Sequence, residues 1–481
     1  MPGRLSQRFG AQDMTTGSPA SALIQFSVPL LIGNLAQQLY NTVDSIVVGK
    51  YVGDTALAAV GASGPILNLI LVLFMGISTG ANIMVSQYFG AKQKETLSKT
   101  VGTAITLTFL SSLFIMLLGT FLVDPLLRLL DTPENIYQGS HAYLTIFFFG
   151  IIGCAYYNIV SGILRGLGDS ITPLVFLLIA CALNIVLDLL FVAVFQWGVA
   201  GVAWATVIAQ AISAALCLIR MFTMRDTMTL NRRMLKLDKH LVLQLVKLGL
   251  PSGLTQMVFS MAAIVVQSLT NSFGTVVIAC STVVMRVDGF AMMPNFTFGA
   301  AMTTYAGQNI GAGKLERVHQ GTKDGLKIGV LASVVLTLCI LLFGGALMSL
   351  FTNTQEVISL GVHMMQILAV GYIAMGITQI LSGVMRGAGD TMTPMWISLI
   401  TTVVIRVPIA YGIAYFTRSE ALPNGTPDCL FISLLISWTL GTVLTAICYR
   451  RGKWRNKAIT AIGKKAEEEQ KIQQENEIVS I

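Results

Sequence analysis

The stretch RGLGDSITP at residues 165–173 recurs as RGAGDTMTP at residues 386–394, with six of nine positions identical at an offset of 221. The segments QYFGAKQKE at 87–95 and QNIGAGKLE at 308–316 recur at the same offset. Similarity at a fixed offset is the sequence signature of duplicated structural units. The chain is therefore predicted to consist of two related halves.

The composition indicates that these halves lie in a membrane. Of 481 residues 54% are hydrophobic and 11% are charged, against about 25% charged residues in soluble domains. The apolar runs are continuous over about 20 residues, as a helix crossing a bilayer requires, and they do not alternate as the strands of a membrane β-barrel do. We predict an all-α integral membrane fold with twelve transmembrane helices. They cover residues 22–48, 57–85, 100–123, 140–163, 173–195, 199–220, 245–271, 276–305, 325–351, 359–383, 394–416 and 430–449.

The position of the duplicated motif predicts how the two halves are related. Six predicted spans separate the two copies, and an even number places both copies on one side of the membrane, as in parallel repeats. The predicted domains are an N-terminal six-helix lobe at 22–220 and a C-terminal six-helix lobe at 245–449. A tail at 1–21, a linker at 221–244 and a second tail at 450–481 complete the chain.

The net charge of +8 has an explanation that needs no nucleic-acid partner. If residues 1–21 are cytoplasmic, 26 of the 31 Lys and Arg residues lie in segments on that side, and only Lys50, Arg128 and Arg418 lie on the other side. This asymmetry follows the positive-inside rule. Both termini are therefore expected in the cytoplasm.

Each copy of the motif also has a local structural interpretation. Thr172 and Thr393 stand where a helix N-cap belongs, each followed by a proline at the first helical position. Asp169 and Asp390 are expected to cap this turn or to pair with a basic residue. The motif is therefore predicted to be a duplicated cytoplasmic turn.

Charged residues within the spans are the candidates for function, because a charge at mid-membrane costs about 2.5–3.5 kcal/mol. Asp44 lies 15 residues after Pro29, and Asp188 lies 15 residues after Pro173, in two helices that run outward. At 1.5 Å per residue both carboxylates lie about 22 Å along their helices. The two acids are therefore expected at matched depth.

Polar neighbours complete a candidate ion site around these acids. Asn184 precedes Asp188 by one helical turn, and Thr206 on the next helix lies at a comparable level. Carboxylate, amide and hydroxyl oxygens suit either Na⁺ or a shared proton. Asn41, one turn before Asp44, is a candidate supporting residue. The alternative interpretation is a static polar cluster that strengthens helix packing.

The second half contains three further charges in its spans, Arg286, Asp288 and Arg406. Arg286 and Asp288 are two residues apart, so their side chains point in different directions on one helix. Asp288 and Arg406 both lie near the middle of their predicted spans. We predict that these two pair across helices, which leaves Arg286 to face a cavity or a backbone carbonyl.

The motifs together resemble one family of secondary transporters. The parallel six-helix lobes, VPLLIGNLAQQLYNTVDSIVVGKYVG at 28–53, the GAK loop, the RGLGDSITP loop and LNIVLDLLF at 183–191 are similar to those of the multidrug and toxic compound extrusion (MATE) family. The resemblance extends from about residue 20 to residue 450. It implies alternating-access antiport, in which an entering H⁺ or Na⁺ drives an organic, usually cationic and amphipathic, compound out of the cell.

The resemblance also implies residue roles. In relatives that couple through the N-terminal lobe, an Asp on helix 1, an Asn and an Asp on helix 5 and a Thr on helix 6 hold the ion. These match Asp44, Asn184, Asp188 and Thr206 here. Tyr143 and Asn158 are candidates for supporting polar groups nearby. Other relatives couple through acids on helices 7 and 10, but the predicted spans 245–271 and 359–383 contain no Asp or Glu.

Two other functions fit parts of the sequence. A flippase or exporter of a lipid-linked saccharide shares the two-lobed architecture, and Arg286 and Arg406 would suit its substrate. A membrane-embedded enzyme acting on lipid would need a nucleophile, a base or metal ligands beside a span, and the sequence contains no such cluster. We therefore expect a transporter rather than an enzyme, without a cofactor. It is expected to act as a monomer in the inner or plasma membrane, with a small organic substrate and membrane lipid as its partners.

Overall fold

The computed structural model of the protein describes residues 10–420 and 422–465, so the outer parts of both predicted tails, 1–9 and 466–481, lie outside the described residues. The described chain is helical. Its helices are α1 Pro19–Tyr51, α2 Asp54–Gly90, α3 Lys94–Leu129, α4 Glu134–Phe149 with Ile151–Gly166, α5 Ile171–Val194, α6 Gly198–Thr223, α7 Lys239–Ser272, α8 Thr275–Gly311, α9 Leu315–Ser349, α10 Gln355–Ala388, α11 Met392–Phe416 and α12 Cys429–Arg450. Eleven are long and apolar enough to cross a membrane, and α4 makes a twelfth if its segments form one span. The predicted all-α membrane fold is confirmed.

The helix predicted as a single span at 140–163 is bent. Its two segments meet at Gly150 with an angle of 53°. A Cβ atom at Gly150 would lie 2.1 Å from Cγ1 of Val207 on α6. Only glycine therefore allows α6 to pack against the bend.

The duplicated motif forms the same capped turn in both halves. Asp169 accepts hydrogen bonds from the backbone N–H and the hydroxyl of Thr172, at 2.9 and 2.6 Å. Asp390 accepts the equivalent pair from Thr393, at 3.2 and 2.7 Å. The acids are thus the capping groups. The prediction that the threonines occupy the N-cap is wrong, because α5 and α11 begin earlier. Burial raises the pKa of Asp169, although its hydrogen bonds from Thr172 oppose this shift.

The contacts divide the chain into two compact units whose limits fall within helices. The first unit contains residues 10–13 and Val28–Gly253, and the second contains Met14–Ser27 and the chain from Leu254 onward. Both α1 and α7 change unit within two residues of an internal proline, Pro29 and Pro251. The limits predicted from hydropathy lie elsewhere, at 221 and 244, because hydropathy records the ends of spans and not the contacts that the spans make.

In each unit, basic residues near the repeated motif at 87–95 or 308–316 donate hydrogen bonds to a distant segment of backbone. In the first unit, Lys94 donates hydrogen bonds to the carbonyls of Arg225 and Asp226, at 3.0 and 2.9 Å. In the second unit, Lys314 donates to the carbonyl of Thr15 at 2.9 Å, and Arg317 donates to the carbonyl of Gly17 at 2.8 Å. Basic residues in or just after the second repeated motif therefore bind the backbone just after α6 and just before α1.

Within the first unit, α2 packs closely against the first part of α7 through glycines. A Cβ at Gly76 would lie 2.8 Å from the carbonyl oxygen of Gly249, and one at Gly80 would lie 2.7 Å from that of Leu245. Small residues allow membrane helices to approach this closely, and the approach increases their van der Waals contact.

Gly80→Ala is expected to destabilise the protein by about 1–3 kcal/mol, because the added methyl group meets backbone that cannot move aside. Gly61→Ala on the same helix is the control, since a Cβ there would meet nothing within 4 Å. That change should be neutral or stabilising by up to about 1 kcal/mol. Thermal unfolding of the purified variants in detergent measures both effects. Equal melting temperatures for the two variants would contradict the close contact.

Candidate functional site

Two carboxyl groups meet inside the first unit. Asp44 on α1 and Asp188 on α5 lie within hydrogen-bonding reach of each other. Asp188 and Asn184 are both 0% exposed. The depth argument from the two prolines therefore predicted the placement of this pair.

Asn184 connects the pair to α6. With its amide oriented to suit its neighbours, Nδ2 donates to Oδ2 of Asp188 at 3.0 Å. Its Oδ1 then accepts from the backbone N–H of Thr206 at 3.3 Å. The structure thus brings together Asp44, Asn184, Asp188 and Thr206, which come from three helices.

Several oxygens around the pair are buried with their hydrogen-bonding capacity unused. No partner among the described residues is found for Oδ1 of Asp44, Oδ1 of Asp188, Oγ1 of Thr206 or the hydroxyl of Tyr40. The hydroxyls of Tyr40 and Thr206 approach each other but do not complete a hydrogen bond. Buried polar atoms usually have partners. A cation-binding or proton-binding role fits this set of oxygens.

The backbone changes geometry directly after Asp188. Residues Leu189–Val194 form a π-helical segment at the end of α5. Such segments within α-helices occur frequently at functional sites. Phe191 in this segment stacks on Phe195 and Trp197, with ring centroids 6.1 and 4.8 Å away. Aromatic packing therefore holds the irregular segment next to the acids.

The three proposed supporting residues have different surroundings. Tyr143 is 5% exposed and lies close to both carboxylates. Asn41 is exposed. Asn158 donates to the carbonyl of Cys154 at 2.9 Å and lines a separate cavity that also contains Arg165. Only Tyr143 is therefore beside the acid pair.

The sequence analysis missed one residue at this site, Tyr40, which lies close to Thr206 and both carboxylates. Tyr40 is one turn before Asp44. The four-residue spacing is the signal that could have identified it, because side chains so spaced share a helix face.

The charges of the second unit do not pair as predicted. Asp288 accepts a hydrogen bond from the hydroxyl of Tyr372 on α10, and no ion pair joins Asp288 to Arg406. Both residues line one cavity. Arg286 is exposed. The pairing prediction was wrong because equal depth does not determine which helix faces meet, and Tyr372 occupies the position beside Asp288.

The chain is similar to known proteins over both of its halves. The MatE family model matches residues 29–190 and 251–412, one segment in each half. The probable multidrug resistance protein YoeA of Bacillus subtilis (strain 168) is 31% identical over 446 residues, which cover 91% of this chain and 94% of that protein. YpnP, another probable multidrug resistance protein of that organism, is 30% identical over 445 residues, covering 92% and 98%.

A solved structure described as the outward-facing conformation of a multidrug resistance MATE family transporter of the MOP superfamily has the same fold. Its TM-score with this chain is 0.85 at 24% sequence identity, with 92% of this chain and 97% of that chain covered. The extent of the family match and the 31% identity with a full-length relative confirm the resemblance seen in the motifs. The chain belongs to the MatE family of multi-pass membrane proteins.

Proposed function

We propose that the protein is a cation-coupled antiporter that exports organic compounds by alternating access. The observation that carries the proposal is the pair of half-buried Asp44 and buried Asp188, with the unpartnered oxygens around it. The names of YoeA and YpnP, both probable multidrug resistance proteins, support drug-like compounds as the substrates.

The acid pair supplies a physical reason for coupling. Two carboxylates side by side repel each other, and burial removes the water that would screen them. A proton or a Na⁺ ion bound between them removes this penalty. For Na⁺, the oxygens of Asp44, Asp188 and Thr206 would serve as ligands, as the hard-cation preference for oxygen requires. Ion binding therefore stabilises the arrangement in which the side chains of α1 and α5 meet.

Coupling then follows from linkage between two ligands. The ion binds to side chains of α1 and α5, and Pro29 interrupts the hydrogen bonding of α1 about 22 Å away. We propose that ion binding bends α1 at this proline and lowers the affinity for the organic compound. Because linkage is reciprocal, the compound also lowers the affinity for the ion, by a coupling of about 1–3 kcal/mol.

The proposed location and orientation of the protein follow from its charge distribution and hydropathy. The bias of 26 of 31 basic residues to one side supports cytoplasmic termini. We propose the cell membrane as the location, and a monomer as the functional unit. An organic cation is the proposed substrate for a first assay.

The test is transport into everted membrane vesicles, whose cytoplasmic face is outward. An H⁺ gradient and a Na⁺ gradient are imposed in separate experiments, each with the higher concentration in the lumen. Ethidium should accumulate in the lumen with at least one of the two gradients. Vesicles without the protein are the control. Accumulation that needs ATP, or that is equal with no gradient, would contradict cation-coupled antiport.

A further inference from the structure

The second unit contains a cavity that is separate from the acid pair of the first unit. Its volume is about 300 Å³, which is at the lower end of the range for small-molecule sites. Side chains of α7, α8, α10, α11 and α12 line it. Most of the wall is apolar, and its aromatic and methionine side chains include Phe259, Met285, Met292, Phe296, Met375 and Trp438. Such a wall suits a small aromatic molecule, because methionine and aromatic side chains adapt to flat rings.

One cation lies in this apolar wall. Arg406 lines the cavity, and its Nε is buried without a hydrogen-bond partner in the described part of the chain. Arginine keeps its charge in proteins, and a buried charge without a partner is costly. The guanidinium therefore has unused capacity to bind an anion inside the cavity.

The irregular backbone just before Arg406 is further support for a functional role of this residue. The π-helical segment Ile400–Ile405 ends immediately before Arg406. In the first unit the π-helical segment Leu189–Val194 begins immediately after Asp188. In each unit, then, a π-helical segment borders a charge within the membrane, and such segments are frequent at functional sites.

The second charged residue in the cavity, Asp288, limits the negative charge that a bound ligand can have. Asp288 also lines the cavity, accepts a hydrogen bond from Tyr372 and forms no ion pair with Arg406. A ligand with two or more negative charges, such as a pyrophosphate, would be repelled by Asp288 and matched by only one guanidinium. A single carboxylate matches both the charge and the two-pronged geometry of arginine.

We propose that this cavity binds a small aromatic molecule through a carboxylate at Arg406. The proposal rests on the function proposed above and names a second class of substrate for it, organic carboxylates as well as organic cations. Arg406 is the residue that selects the carboxylate, and the aromatic and methionine side chains bind the ring.

The probe is the fluorescent acid 7-methoxycoumarin-4-acetic acid, compared with its uncharged methyl ester. Binding to the purified full chain in detergent is measured by fluorescence anisotropy, with protein-free micelles subtracted. The wild-type protein should bind the acid about tenfold more tightly than the ester, which corresponds to about 1.4 kcal/mol. Arg406→Gln should remove this preference by weakening only the acid. Arg406→Lys should retain part of it, because the charge remains and the two-pronged geometry is lost.

The control is Arg418→Gln, the same change at an exposed arginine just beyond α11, and it should keep the wild-type preference. Equal wild-type affinities for acid and ester would overturn the proposal. So would an Arg406→Gln protein that unfolds at the wild-type temperature but weakens acid and ester alike.

A final experiment tests whether the ligand of Arg406 is a small carboxylate or a lipid headgroup. Phosphatidylglycerol added to the micelles should leave acid binding unchanged, and its displacement of the acid would overturn the proposal in favour of a lipid site. No ion gradient is present in these measurements. The binding result therefore does not depend on whether transport is coupled to a cation. The binding proposal and the antiport proposal can each be disproved without the other.

Discussion

Asp44→Asn and Asp188→Asn are each expected to reduce gradient-driven efflux by about 5- to 150-fold, the range that a coupling of 1–3 kcal/mol produces. Either change leaves one carboxylate in the buried site, so the repulsion between two charges that a cation relieves is lost. Asparagine nearly preserves the size of the side chain and should leave the protein folded. Each variant should therefore keep the shape of the site and lose the coupling of efflux to the cation.

The measurement is the initial rate of ethidium accumulation in everted vesicles, normalised to the amount of protein in the membrane. Asp226→Asn is the matched control because Asp226 is exposed in the loop before α7, and it should transport at the wild-type rate. If both single variants of the acid pair transport like the wild type, the pair has a packing role and not a coupling role.

Ion identity gives a second measurement on the same variants. A ligand that binds only the folded protein raises its melting temperature. If Na⁺ is the coupling ion, replacing choline by Na⁺ should raise the melting temperature of the wild type and not that of Asp44→Asn. If the proton is the ion, Na⁺ should have no such effect on either protein.

The sequence predicted those features that depend on distance along a helix. Asp44 and Asp188 were expected at matched depth by counting from Pro29 and Pro173, and the two carboxyl groups do meet. Counting works because helical rise per residue is nearly constant. The twelve spans were predicted for a similar reason, since a bilayer imposes a minimum length of apolar helix.

The sequence did not predict features that depend on helix rotation and packing. Asp288 and Arg406 have similar depth, yet Tyr372 on a third helix is the partner of Asp288. The choice among partners depends on which faces of α8, α10 and α11 meet. Hydropathy contains no such information, because all faces of a membrane helix can be apolar.

The division of α1 between units also depends on packing. Residues Met14–Ser27, which include the start of α1 at Pro19, belong to the second unit, although most of α1 belongs to the first. Their anchors are Lys314 and Arg317, which donate to backbone carbonyls between Met14 and Gly17. Basic residues near the membrane surface were predicted to set topology, and here they also bind a specific segment.

Pro29→Ala is expected to reduce efflux by about tenfold while it leaves ion binding intact. The proline removes a hydrogen-bond donor from the interior of α1, and alanine restores the donor and stiffens the helix. Pro29 lies within two residues of the point where α1 changes unit, between Ser27 and Val28. A helix that must bend there to transmit ion binding would lose that bend, whereas the acid pair, 15 residues away, would remain unchanged.

Two measurements on Pro29→Ala distinguish a lost hinge from a damaged ion site. The efflux rate should fall, whereas the melting temperature in the presence of the coupling ion should equal or exceed that of the wild type, because a helix-interior proline costs about 3 kcal/mol. Pro65→Ala is the control, since Pro65 is also inside a long helix, α2, that stays in the first unit throughout. It should gain stability without loss of efflux. Wild-type efflux by Pro29→Ala would show that α1 transmits ion binding as a rigid helix, and an equal loss in both variants would show that the effect is general stiffening.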